Sequence, residues 1–426
     1  MKIQVFQSDE GDCLLITGKD GKRILCDGGM AAAFRTHVAE TLSKIPKKEK
    51  IDVVYVSHID SDHISGILEM MNNMVAWKVH DYQKKNVDSS HKPPKVPRPP
   101  KVGALWHNSF HEQTEDNTGE IEDMLATTAL VLSGSYLPDL KDAASKSQNI
   151  ATSVKEAINL NRRVGDKQLG IPVNRPADGK LMMVRDKHKP ISLGGMKFHI
   201  LAPFSEDLAK LRKDWNKWLQ DSKDKLAVIR ADARKTERDL GNDIDRLMEP
   251  LFDQAKKFGD RSGVTPPNLA SLMFLLEEKS TGTTVLLTGD GHADDVVKGL
   301  KHCKKIKNDK LHVDVIKVQH HGAEFNMTKA FAESITADHY IFCGNGGDEN
   351  PNLETLKVLI DARLADGTKK KFKLWFNSHS SVAGGKKGSP AHMRKIEKLI
   401  KTRTAGSKGR LQSQFLKSSS VTLTFT

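Results

Sequence analysis

The chain is short of cysteine, of aromatic residues and of long apolar runs. Its 426 residues include four cysteines, Cys13, Cys26, Cys303 and Cys343, which stand apart with no Cys-x-x-Cys pair among them. That spacing argues against a disulfide framework and a zinc ribbon, and isolated reduced thiols suit the cytoplasm. No stretch is apolar for the roughly 18–20 residues that a bilayer-spanning helix needs. The opening Ile3-Gln4-Val5-Phe6 reads as a strand and carries no signal-peptide pattern, so a cytoplasmic protein without membrane contact is expected. Only four tyrosines and five tryptophans are present, too few for single-strand recognition built on base stacking. Acids are also in deficit, 54 against 67 lysines and arginines, for a net charge of +13.

What is present is concentrated. Val53-Val54-Tyr55-Val56-Ser57-His58-Ile59-Asp60-Ser61-Asp62-His63-Ile64-Ser65-Gly66 sets four metal-binding side chains, His58, Asp60, Asp62 and His63, within six positions after a β-branched run. A strand ending there delivers imidazole nitrogens and carboxylate oxygens to one loop, more donors than one small cation can use. A solvated turn that gathers two histidines and two aspartates by chance is the alternative, and the strand before it and the helix start after it weigh against that.

The motif resembles the His-x-His-x-Asp-His signature of the metallo-β-lactamase superfamily, with Asp60 where the second histidine stands. The resulting His-x-Asp-x-Asp-His form resembles the ComEC-like branch, which includes the hydrolase domain of DNA-uptake proteins. Further segments resemble that pattern in order. Gly11-Asp12-Cys13-Leu14-Leu15-Ile16 and Arg23-Ile24-Leu25-Cys26-Asp27-Gly28-Gly29 look like its opening strands, and the resemblance makes Asp27 a carboxylate that orients a ligating histidine. Thr284-Val285-Leu286-Leu287-Thr288-Gly289-Asp290 looks like the strand bearing the bridging aspartate. Val315-Ile316-Lys317-Val318-Gln319-His320-His321-Gly322 looks like the His-His-Gly element, with His321 favoured as ligand and His320 as ligand or phosphate contact. His107, at the end of Ala104-Leu105-Trp106, is the candidate for the remaining ligand. Asn268-Leu269-Ala270-Ser271-Leu272 resembles the branch's Asn-x-x-Ser-Leu strand, whereas Asn350 before Pro351 departs from relatives that carry a histidine there.

The resemblance implies an α/β fold, the four-layer αββα metallo-β-lactamase sandwich, with residues 1–130 and 265–426 as its halves and 131–264 as a largely helical insertion. It also implies two divalent metal ions, Zn2+ or Mn2+, held by His58, Asp60, Asp62, His63, His107, Asp290 and His321, with Asp62, Asp290 and His320 closest to the chemistry. The oxygen ligand at position 60 brings manganese into competition with zinc. Hydrolysis by metal-activated water is the expected reaction.

Substrate class comes from charge. An acidic cleft in a protein of pI near 9.3 suits a polyanion, DNA first, although lysines spread along the chain also serve solubility. The proline-rich His91-Lys92-Pro93-Pro94-Lys95-Val96-Pro97-Arg98-Pro99-Pro100-Lys101 is expected to be an extended basic loop, because its prolines fix φ and remove donors. Lys92, Lys95, Arg98 and Lys101 are the candidate substrate contacts, with a plain spacer as the alternative. A small phosphodiester is the competing substrate. A partner-regulated effector, or an oligomer docked through 131–264, is the competing role.

Overall fold

The computed structural model describes residues 1–108, 156–157, 159–209 and 270–426. Short alternating segments bounded by turns build two sheets. β1 (Lys2–Phe6), β2 (Leu14–Thr17), β3 (Arg23–Cys26), β5 (Val53–Tyr55), β7 (Leu105–Trp106) and β16 (Ser420–Thr424) form a six-stranded sheet in the order β16-β1-β2-β3-β5-β7. The other has eight strands: β8 (Ile191–Leu193), β9 (Met196–Ala202), β10 (Met273–Glu278), β11 (Thr284–Leu287), β12 (Leu311–Lys317), β13 (Ile335–Phe342), β14 (Phe372–Phe376) and β15 (Leu411–Phe415). They run in the order β15 through β8. A two-strand pair, β4 (Lys50–Ile51) with β6 (Lys101–Val102), stands beside them.

Strand alternation fixes the layers. Successive side chains point to opposite faces, and in β3 Ile24 and Cys26 enter one core cluster while Leu25 enters another. Val53 and Tyr55 likewise part from Val54, and Phe274 and Leu276 part from Leu275. One core therefore lies between the sheets. At its centre the Phe274 ring packs 5.1 Å from Tyr55 and 5.7 Å from both Trp106 and Phe198.

The outer faces are covered by helices. On the six-stranded sheet these are α1 (Ala31–Ala33), a π-helical turn over Phe34–Val38, α2 (Ala39–Ser43) and the long α3 (Ser61–Asn86), which supply Phe34, Leu42, Ile64, Ile67 and Met71. On the eight-stranded sheet α4 (Ala293–His302), α5 (Lys329–Ser334), α6 (Leu353–Ala365) and α7 (Pro390–Gly406) supply Val296, Phe331, Leu359 and Ile396. The result is the αββα layering that the sequence led one to expect.

Of the stretch 131–264, residues 156–157 and 159–209 are described. Its β8–β9 hairpin pairs with β10 at the edge of the eight-stranded sheet, and Val173 bridges to Leu105. Described residues between 156 and 164 are helical and bury Ala157, Leu160 and Val164 in the core under α3. The rest of that stretch lies outside the described residues.

Candidate metal centre

Parallel pairing decides where the chemistry collects. β3, β5 and β7 are parallel neighbours, as are β11 and β12, so the residues following each strand emerge at one edge of the sandwich. The two sheets are joined there: the Leu272 N–H donates to Ser57 O at 2.8 Å, and the Tyr55 hydroxyl to Leu272 O. α3 starts hard against the end of β3. A Cβ on Gly66 would lie 2.0 Å from Gly28 O, and one on Gly28 2.4 Å from Ile67 N. Glycine at both positions permits this approach, which sets Asp27 beside His63.

Asp290 is the centre of the constellation. Its Oδ2 lies 3.3 Å from His63 Nε2, 3.4 Å from His321 Nε2, 3.6 Å from His320 Nε2 and 3.8 Å from His58 Nε2. Asp62 Oδ2 lies 2.9 Å from His321 Nε2 and 3.6 Å from His63 Nε2, and Asp60 Oδ2 is 3.4 Å from His58 Nε2. The chain thus brings six of the seven expected ligands into one connected network of contacts. The seventh, His107, is fully buried, and Asn174 clamps its backbone at 2.9 and 2.8 Å. Burial, opposed by a backbone contact with Val56 and reinforced by nearby His58, lowers its pKa to about 4, so the ring is neutral.

Orientation comes from behind. Asp27, in a left-handed backbone conformation at φ 55°, accepts from the Ser57 N–H at 2.7 Å, from Ser57 Oγ at 2.9 Å and from His63 Nδ1 at 3.1 Å. This is the orienting contact expected from sequence. His320 is held at Nδ1 by Asn326 Oδ1, 2.8 Å away, and His292 caps α4 by accepting from the Asp294 N–H.

Two residues in the cluster were not anticipated. Asp12 and His63, Asp290 and His321 hold potential ligand atoms within 4.8 Å of one another, all buried. Lys317, 2% exposed, is ion-paired with Asp12 and lies 3.6 Å from Asp290 Oδ1.

The donors fit divalent cations. His58 Nε2, His63 Nε2 and Asp290 Oδ1 are buried without hydrogen-bond partners, an expensive state unless something positive completes them. Burial alone would raise the Asp290 pKa, but His63, His321, His320 and Lys317 together hold it well below the carboxylate range. His63 and His321, although buried, are pushed well above the usual histidine value by the surrounding aspartates. The cluster calls for positive charge, and imidazole with carboxylate is the donor set that Zn2+ and Mn2+ accept.

The candidate substrate lysines are elsewhere. The loop is pinned to the far half of α3: Trp77 Nε1 donates to Val96 O at 3.2 Å, Arg98 stacks on Trp77 at 4.3 Å and is paired with Asp81. Trp77 and Asp81 are roughly four to six turns beyond Ser61, about 24–30 Å along the axis. Lys101 pairs with Lys50 at the opposite end of the strands, about 20 Å of extended chain before His107. Lys92, Lys95, Arg98 and Lys101 are therefore not gathered with the ligand cluster. Lys387 is the basic residue nearer the mouth: it donates to Asp348 Oδ2 at 2.9 Å, and Asp348, Asp62 and Glu10 outweigh burial to raise its pKa.

No protein-family model and no curated protein matches the chain. Among solved structures it is similar to unliganded yeast PDE1, with 10% sequence identity and a TM-score of 0.36 over 100% of this chain and 99% of that one. At that level of likeness the site itself has to carry any functional reading. Among the described residues, no helix is long and apolar enough to cross a membrane.

Proposed function

We propose that the chain is a cytoplasmic, dinuclear metal-dependent phosphodiesterase acting on DNA, on the ComEC-like pattern of His58, Asp60, Asp62 and His63. The observation that carries the metal-dependent reading is Asp290 Oδ2, within 3.8 Å of four imidazole nitrogens, in a pocket of buried donors that lack partners. His58, Asp60 and His107 would hold one ion, Asp62, His63 and His321 the other, and Asp290 would be shared. Bound divalent ions supply Lewis-acid charge and lower the pKa of water towards neutrality.

The protein's own groups do the rest. Asp27 and Ser57 keep the His63 and His58 rings aimed inward, and the dry walls around Asp290 strengthen every electrostatic contact there. His320, 30% exposed beside Asp290, faces the open side and can contact a phosphoryl oxygen. Lys387 at the mouth offers a cation to a flanking phosphate. The net charge of +13 draws a polyanion in and favours DNA.

A small phosphodiester is the second reading, favoured by the position of the Lys92–Lys101 loop away from the mouth. One experiment separates the two. Chelated protein reloaded with Zn2+, Mn2+ or Mg2+ is assayed on plasmid DNA and on bis(p-nitrophenyl) phosphate. Cleavage of both supports DNA, cleavage of the small ester alone supports the second reading, and cleavage of neither in any metal removes both.

A further inference from the structure

Two carboxylate–imidazole contacts face each other across the centre. Asp27 Oδ2 is 3.1 Å from His63 Nδ1, and Asp12 Oδ1 is 3.1 Å from His321 Nδ1. In both rings the other nitrogen is directed at Asp290 Oδ2, at 3.3 and 3.4 Å, and His321 Nε2 also lies 2.9 Å from Asp62 Oδ2. A carboxylate only accepts, so each outer contact calls for a proton on Nδ1, and Nε2 is the nitrogen left to bind once a cation takes the place of its own proton. The near-symmetry stops at what stands behind each aspartate. Asp27 is held by the Ser57 N–H and hydroxyl, whereas the second oxygen of Asp12 is paired with Lys317.

Lys317 is the last residue of β12, four positions before His321, and is 2% exposed. Its Nζ also donates to Gly289 O at 3.0 Å and lies 3.6 Å from Asp290 Oδ1. An isolated buried ammonium is strongly disfavoured, so the lysine is retained there by this pairing. Distance alone would count Asp12 among the ligands, since it shares the 4.8 Å cluster with His63, Asp290 and His321. Its bonding indicates otherwise: one oxygen is taken by His321 and the other by Lys317.

We propose that Asp12 and Lys317 are a positioning pair and not part of the ligand set: Lys317 anchors Asp12, and Asp12 fixes the His321 ring so that Nε2 is the ligating nitrogen. Lys317 also stands over Asp290 Oδ1, which leaves Oδ2 as the oxygen offered to the centre. The inference rests on the metal-dependent reading of this site and assigns the residues that set one ligand's tautomer.

The test uses the full chain loaded with Zn2+. Imidazole nitrogen NMR of the parent protein should show His321 protonated at Nδ1 and ligated through Nε2. Asp12→Asn should keep the parent metal count and weaken zinc affinity in chelator competition by about 10–100-fold, the usual cost of losing an orienting partner. It should also shift the visible spectrum of the Co2+-substituted protein, which a merely structural role would not do. Lys317→Met leaves Asp12 buried and unpaired, so Asp12→Asn/Lys317→Met is made beside it. Removing both charges should weaken affinity no more than Asp12→Asn alone, because the two act as a unit. Loss of one ion per chain in Asp12→Asn would make Asp12 a ligand and overturn the proposal, as would Nδ1 ligation of His321 in the parent. Parent-like affinity and cobalt spectrum in both Asp12 variants would also overturn it. Absence of any bound metal in the parent would instead fail the underlying reading and take this inference with it.

Discussion

At the start of β5, Asp52 is paired with Lys22 at 3.1 Å, approached by Lys50 at 3.9 Å, and accepts from the Arg23 N–H at 3.0 Å. Beyond the far end of the same strand, His58 and His63 present buried Nε2 atoms with no hydrogen-bond partner, and Asp290 Oδ1 accepts no hydrogen bond, with Lys317 Nζ 3.6 Å away. Both ends carry acids behind a short apolar strand. They differ in what neutralises them. The first uses lysines that are half in water, an arrangement that contributes little to stability. The second buries Asp12, Asp27 and Asp290 with a single buried lysine, Lys317, and several imidazoles in between. A site that keeps carboxylates dry and their imidazole neighbours unsatisfied is arranged for a cation from outside, and the comparison locates it at the C-terminal edge of the parallel strands.

The largest expected effect breaks that contrast directly. Asp290→Asn should reduce turnover by more than the roughly 10–100-fold that loss of an orienting partner costs, and should lower the metal count. Asp52→Asn should leave both unchanged and appear only in a urea melt, as a loss of no more than about 1 kcal/mol. Steady-state rates and elemental analysis on the two variants decide it. Chelation comes next. Removing metal from the parent should lower its unfolding free energy, and restoring free metal at 100 times the dissociation constant should return about 2.7 kcal/mol for each site filled. Asp52→Asn should show the same metal-dependent increment, whereas Asp290→Asn should not.

Asp27→Asn sharpens the comparison within the site. It should weaken metal binding by about 10–100-fold in chelator competition while the eight-stranded sheet's ligands, Asp290 and His321, stay in place. The smallest effect is expected from replacing Lys92, Lys95, Arg98 and Lys101 with glutamine. That loop belongs to the far end of α3, so turnover on bis(p-nitrophenyl) phosphate should not change. DNA affinity should lose no more than ~0.9 log units of salt slope for each phosphate contact removed. A large fall in turnover on the small ester would place the loop at the site after all.

The convergence of the candidate ligands was legible in the sequence because most of them follow strands, and strand ends are where alternating β-branched runs stop. His58, Asp290 and His321 could be read that way, and Asp27 could be assigned its orienting role from Gly28-Gly29 and the resemblance. The layer structure was legible for the same reason: alternation in β3, β5 and β10 sorts residues such as Leu25 from Ile24 without reference to any partner. Lys317 and Asp12 were not legible. Nothing local distinguishes a buried lysine paired across more than 300 residues from a solvated strand-end charge. The position of the lysine loop was not legible from its neighbours in sequence. It stands close to His107 along the chain, but β6 and β7 run the intervening chain across the sandwich, and Trp77 and Asp81 hold Arg98 against the far half of α3. The pairing of the β8–β9 hairpin with β10 at the sheet edge was not legible either, since it is set by tertiary contact and not by pattern.

Anomalous X-ray scattering at the zinc or manganese edge, on crystals of the metal-loaded protein, tests the central claim most directly. Two peaks are expected at the edge where β5, β7, β11 and β12 end, in contact with His58, Asp62, His63, Asp290 and His321. Peaks confined to surface histidines such as His312, or no peak at that edge with metal in excess, would contradict the account.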